Sequence, residues 1–146
     1  AVSNLSEFDK GTSFKKMYAE TGKLAADAKI RRVVFCTGKV YYDLLQAREE
    51  TKISDIAILR IEQLYPLYEE KLKRTVAPYT NARKFVWCQE EPQNMGAWTF
   101  ILPRLLNLFP GYIYYAGRPS SASPAAGTMQ MHQREQAALV KQAFEV

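Results

Sequence analysis

Four polar segments interrupt an otherwise plain chain, and each carries side chains able to bind, pair or move protons. They read Cys36-Thr37-Gly38-Lys39, Arg60-Ile61-Glu62-Gln63-Leu64-Tyr65-Pro66, Gln89-Glu90-Glu91-Pro92-Gln93-Asn94-Met95-Gly96-Ala97-Trp98 and Gly117-Arg118-Pro119-Ser120-Ser121-Ala122-Ser123-Pro124. Glu90 and Glu91 supply carboxylates, but neighbours on extended backbone point to opposite sides. They cannot bracket one substrate as acid and base; the expected role is structural, at the following helix start or paired with Arg60 or Arg118. Thr37-Gly38-Lys39 enters a helix, and helix N-termini favour anions. It lacks the upstream glycine of a P-loop and the glycine pattern of a dinucleotide fold, so it reads as a tight turn. His132, the only histidine, opens the last helix without Ser, Cys or Asp at a motif spacing, and reads as a solvated residue. Trp98, on a loop expected to be exposed, reads as an interface anchor.

These segments need elements to hold them, and hydrophobic patterning supplies a strand–helix alternation. Residues 31–37, 55–61, 84–89 and 112–116 are short apolar runs of the kind that form buried parallel strands. Between them, Val40, Tyr41, Leu44 and Leu45 share one helical face, and Tyr68, Leu72 and Val76 repeat at four-residue spacing in a helix expected to open at Pro66. Asn94 is the expected N-cap of a helix carrying Ile101, Leu102, Leu105 and Leu106, which Pro103 must kink or restart. Leu139, Val140, Ala143 and Phe144 form the inner side of the last helix. The expected division is a lead-in over 1–30, with an edge strand near 13–18, and an α/β domain over 31–146. Such alternation predicts a mostly parallel sheet with helices on both faces. In that architecture the polar segments gather at the carboxyl ends of the strands.

Composition narrows the function. With 146 residues, 47% hydrophobic and 24% charged, the chain has the makings of one packed domain. Net charge is +5, but the basic residues are scattered over helix faces rather than gathered with aromatics, which argues against nucleic-acid binding. No apolar run is long enough to span a bilayer, so no membrane role is expected. The N-terminus has no signal-peptide pattern, and the absence of a first Met reads as processing or a piece of something longer. Cys36 and Cys88 lie in apolar, β-branched contexts and read as buried free thiols rather than a disulfide or metal pair.

Taken in order, the four segments resemble one family. The runs Val40-Tyr41-Tyr42-Asp43-Leu44-Leu45, Arg60 to Pro66, Trp87 to Trp98, and Tyr115-Ala116-Gly117-Arg118-Pro119-Ser120-Ser121-Ala122-Ser123-Pro124-Ala125 are similar to the C-terminal domain of the thiamine-dependent component of 2-oxoglutarate dehydrogenase. The resemblance covers essentially the whole chain. The related 2-oxoadipate dehydrogenase shares Gln89 to Gly96, so that family stands as an alternative. The resemblance implies a transketolase C-terminal-like fold, α/β/α in three layers, with a mostly parallel five-stranded sheet and one antiparallel edge strand.

It further implies a parent enzyme that decarboxylates 2-oxoglutarate with thiamine diphosphate and Mg²⁺ held on other domains. The parent would pass the succinyl group to a lipoyl arm on the dihydrolipoyl succinyltransferase component. The expected partners are the remaining domains of the parent chain and the second subunit of a homodimer. The expected location is the cytoplasm, or the mitochondrial matrix in a eukaryote. The domain itself is expected to be inactive alone and to assemble through Arg60, Glu90, Glu91, Trp98 and Arg118. In one branch of the family a regulatory acetyl-CoA site involves residues matching Ser13, Lys16 and Gln63, followed by two arginines. Here Glu70 and Lys71 stand in the arginine positions, and a carboxylate repels the phosphates such a clamp would grip. The competing reading is an autonomous nucleotide- or acyl-CoA-binding module using the Thr37–Lys39 turn and the Gly117–Ser123 loop.

Overall fold

In a computed structural model, which describes residues 5–145, the alternation folds as its pattern requires. The strands are β1 (Met17–Tyr18), β2 (Arg32–Cys36), β3 (Ile56–Ile61), β4 (Lys84–Pro92) and β5 (Ile113–Arg118). The helices are α1 (Val40–Thr51), α2 (Glu69–Val76), α3 (Trp98–Leu108) and α4 (Met129–Glu145), with short 3₁₀ turns at Leu5–Phe8 and Asp27–Lys29. One five-stranded sheet has the order β1-β3-β2-β4-β5. β1 pairs antiparallel with β3, and the remaining pairs are parallel.

Strand alternation splits the core in two. Val33, Phe35, Leu59, Phe85 and Trp87 face α2 and α3, packing with Leu72, Ile101 and Leu105. Val34, Cys36, Ile58, Val86 and Cys88 face α1 and α4, packing with Val40, Leu44, Leu139 and Val140. This placement follows from handedness: α1 connects β2 leftward to β3, whereas α2 and α3 carry the chain rightward to β4 and β5. Right-handed crossovers in opposite directions must lie on opposite faces.

Several local expectations are corrected. Pro66 does not open α2: it follows a cis peptide bond in the loop, and the helix starts at Glu69 behind Tyr68. Asn94 does not cap α3. Its side chain bonds the backbone N–H and C=O of Ser121, and the helix begins at Trp98. That helix runs through Pro103 to Leu108. β4 continues past Gln89 to Pro92, so Glu90 and Glu91 are strand residues rather than loop residues. The edge strand of the lead-in is only Met17–Tyr18.

The lead-in is nonetheless strapped down. Glu20 and Arg48 form an ion pair of 2.5 Å with both side chains only 5% exposed. Glu20 also accepts from the N–H groups of Ile58 and Gly22, at 2.7 and 2.6 Å. Arg48 donates to the Ile56 carbonyl as well. A carboxylate thus takes up the β3 edge where β1 has ended, which matters because buried backbone N–H groups need partners.

Cys36 and Cys88 occupy paired positions on β2 and β4, both buried. Burial pushes the Cys36 thiol well above its usual range and Cys88 up to about 12. The thiolate is the reactive form, so neither is expected to react with a thiol reagent in the native protein at anything near the rate of free cysteine. Both should label on denaturation. Rapid native labelling would show that the strands open far more readily than this packing allows.

Candidate functional site

A doubly wound sheet opens a crevice where neighbouring strands send their connections in opposite directions. Here that place lies between β2 and β4. Gly38, at φ +70°, turns the chain out of β2 into α1, and Lys39 follows. The Lys39 ammonium pairs with Glu90 of β4 at 2.5 Å, a bond that raises the lysine's pKa. Gln136 of α4 closes the arrangement, its amide donating to Glu90 at 3.0 Å and to Asp43 at 2.6 Å. The crevice is bridged by the protein's own charges. Lys39 is spent on Glu90, which removes the cation that a phosphate at the Thr37–Lys39 turn would need.

Arg60 lies at the end of β3 in an aromatic box. Its guanidinium sits 4.1 Å from the Tyr18 ring centre and 4.7 Å from that of Tyr41. It donates to the Tyr42 hydroxyl at 3.0 Å and pairs with Glu62 at 2.9 Å. Burial lowers its pKa, but the Tyr42 bond and the Glu62 charge outweigh that and the net shift is upward. Arg118, leaving β5, pairs with Glu135 of α4 at 2.6 Å and donates to the Pro124 carbonyl at 3.0 Å. The carboxylates that Arg60 and Arg118 use are therefore Glu62 and Glu135, not Glu90 or Glu91 as expected. Glu91 is exposed on the opposite side of β4 from Glu90, as alternation requires.

Trp98 corrects the largest expectation. It is 9% exposed, belongs to the α2/α3-side core, and lies 5.1 Å from the Tyr115 ring. The loop before it wraps around a residue that sequence reasoning missed. Gln89, 1% exposed, accepts from the Trp87 indole N–H at 2.9 Å. It donates to the carbonyls of Met95 and Pro92 at 2.8 and 3.2 Å. The readable signal was a lone amide inside an apolar strand, where an unsatisfied polar group would be costly. Gly96, at φ +65°, completes the wrap, because a Cβ there would lie 3.0 Å from the Gln89 amide nitrogen. Tyr115 ties β5 to the end of β4, its hydroxyl within 3.0 Å of the Glu91 carbonyl and 2.9 Å of the Arg118 carbonyl. Burial raises its phenol to about 12.

Two cavities flank these residues. A cleft of about 400 Å³ lies among Glu90, Arg118, Glu135, Gln136 and residues 124–128, with exposed His132 on its rim. A smaller one of about 330 Å³ lies across the sheet among Thr37, Leu64, Tyr65, Glu91, Ala97 and Phe100.

Of the residues of the implied regulatory site, Lys16 and Gln63 are brought together, the Lys16 carbonyl accepting from the Gln63 N–H at 2.9 Å, but their side chains are engaged elsewhere. The Lys16 ammonium lies against the Tyr68 ring and hydroxyl, and Gln63 donates to the Pro66 carbonyl at 2.9 Å. Ser13 lines a groove with Ser6, Phe8 and Phe14. Lys71 is exposed on α2, where neighbouring Glu70 pairs with Lys73.

The sequence is similar to known proteins over nearly its whole length. Residues 2–144 match the family model described as 2-oxoglutarate dehydrogenase C-terminal. The chain is 47% identical over 147 residues to the 2-oxoglutarate dehydrogenase E1 component of Haemophilus influenzae, covering 99% of this chain and 15% of that protein. It is 44% identical to the E1 component of Cupriavidus necator, with 99% and 15% covered. Identity is also 44% with that of Brucella anthropi, covering 99% and 16%. The chain thus spans about 15% of the length of these relatives.

Proposed function

The chain belongs to the 2-oxoglutarate dehydrogenase C-terminal family, and from that premise we propose that it is the assembly domain of a 2-oxoglutarate dehydrogenase, bracing the catalytic domains and completing the homodimer. The parent decarboxylates 2-oxoglutarate and passes the succinyl group to the lipoyl arm of the dihydrolipoyl succinyltransferase component. The supporting observation is the bridged crevice: Lys39, Glu90, Gln136 and Asp43 satisfy one another where such a sheet would otherwise seat a ligand.

Thiamine diphosphate and Mg²⁺ belong to the parent's other domains in this reading. A Mg²⁺ site needs converging oxygen ligands. Among the described residues no group of three or more His, Cys, Asp or Glu converges on such a point. Glu62, Glu90 and Glu135 are each held by a cation of the domain. These residues do not fit the cofactor, and no step of the reaction is assigned to them. Among the described residues, no helix is long and apolar enough to cross a membrane.

The test pairs two preparations. The isolated chain with thiamine diphosphate and Mg²⁺ is expected to show no 2-oxoglutarate decarboxylation above a no-protein control. The parent truncated to lack this segment is expected to lose its dimer in sedimentation and most of its turnover. A truncated parent that remains a fully active dimer would end the assembly reading.

A further inference from the structure

At the carboxyl edge Lys39 pairs with Glu90, Arg60 with Glu62 and Arg118 with Glu135, Glu91 is exposed, and the tryptophan is buried. The edge also leaves a large aromatic side chain in solvent. Tyr65 is 79% exposed in the loop between β3 and α2. Its ring stands edge-on to Phe100 of α3, at 6.4 Å and 74°. Together they line the 330 Å³ pocket with Leu64, Ala97, Thr37 and Glu91, and its exposed lining is mostly apolar. Leu64, Ala97 and Phe100 are half-buried and continuous with the α2/α3-side core. An aromatic lip on an apolar pocket of this size matches the anchor pockets found at the centre of protein interfaces.

We propose that this pocket receives an apolar side chain from the part of the parent polypeptide that precedes the domain. Tyr65 is then the principal anchor of the assembly, in place of the charged residues of the same edge. The inference rests on the assembly reading above and names the surface that carries it. Two observations select this occupant. The relatives are far longer than the matched segment, which is 15–16% of their length, so most of such a polypeptide lies outside the domain. The lead-in also enters beside the pocket: the Lys16 carbonyl accepts from the N–H groups of Glu62 and Gln63, directly before Leu64 and Tyr65. The polypeptide that precedes the domain is therefore joined to this side of it through residues 1–16, and such tethering raises its effective concentration there.

The experiment compares Tyr65→Ala and Tyr65→Asp in the isolated chain and in the full-length parent. In the isolated chain both are expected to leave the melting temperature and monomeric state unchanged. In the parent, both should accelerate proteolytic release of the C-terminal segment about 10-fold or more, with aspartate the stronger, as for loss of an interface hot spot. Unchanged release in the parent overturns the pocket assignment, while the truncation experiment independently decides the assembly reading. A concentration-dependent dimer of the isolated chain that Tyr65→Asp abolishes would also overturn it, by making a second copy of the domain the occupant.

Discussion

Replacing Glu20 with alanine is expected to cost the domain about 3–5 kcal/mol, because it leaves Arg48 charged, buried and without its main partner. Few domains have more than about 5–15 kcal/mol to lose. The loss also uncaps the Ile58 N–H at the β3 edge and frees the segment before residue 20 from α1. Urea unfolding of wild type, Glu20→Ala, Arg48→Met and the double variant separates the terms. The double variant should be more stable than Glu20→Ala, since removing both charges abolishes the buried, unpaired one. Its pH dependence follows from the geometry. Burial acts to raise the Glu20 carboxyl, but the bonds from Arg48 and from the Ile58 and Gly22 N–H groups hold it below its ordinary 4.5. A depressed carboxylate contributes fully above its unfolded value and ceases to contribute as pH falls through the folded one. Stability of the wild type should therefore drop below about pH 4.5, and this component should be missing from Glu20→Gln. Equal acid sensitivity in the two proteins would refute the ion pair as its source.

Trp98→Ala is expected to destabilise the isolated domain by about 3–5 kcal/mol, the usual cost of deleting a large buried aromatic. The indole fills the space between α3 and Tyr115, and its removal undermines the ring whose hydroxyl holds the Glu91 and Arg118 carbonyls. Trp98→Phe, which restores part of the volume and an aromatic face, should recover more than half of the loss. Calorimetry or denaturant melts of the isolated chain decide the matter without any partner present. A melting temperature unmoved by Trp98→Ala would mean that the indole works outward, as the sequence alone had suggested, and not in the core.

That reversal shows which features a sequence displays and which it hides. The strand–helix alternation was legible because each apolar run reports its own burial, whatever its neighbours. Cys36 and Cys88 were placed correctly on the same grounds. Several of the errors involve partners that the local sequence does not display. Asn94 looks like a cap until the Ser121 backbone arrives from the β5–α4 loop. Trp98 looks exposed until Tyr115 lies against it. Arg60 and Arg118 were recognised as significant, but their carboxylates, Glu62 and Glu135, depend on the strand end and on the docking of α4. Gln89 was passed over because its partners include loop carbonyls, and carbonyls have no letter in a sequence. Tyr65 is the converse case, a residue hidden in a motif whose exposure only the fold reveals.

The division of the interior by the sheet also governs how the domain can vary. Val34, Ile58 and Val86 never touch the helices that cover Phe35, Leu59 and Trp87, since backbone lies between them. Coupling between substitutions falls away when they share no partner. Volume lost at Val34 can be regained from Leu139 or Val140 on its own side, but not from Ile101 or Leu105 across the sheet. Each face thus drifts on its own ledger of compensations. The two histories meet where Gln89 and Glu90, adjacent in β4, turn to opposite sides, one to the α3 loop and the other to α4.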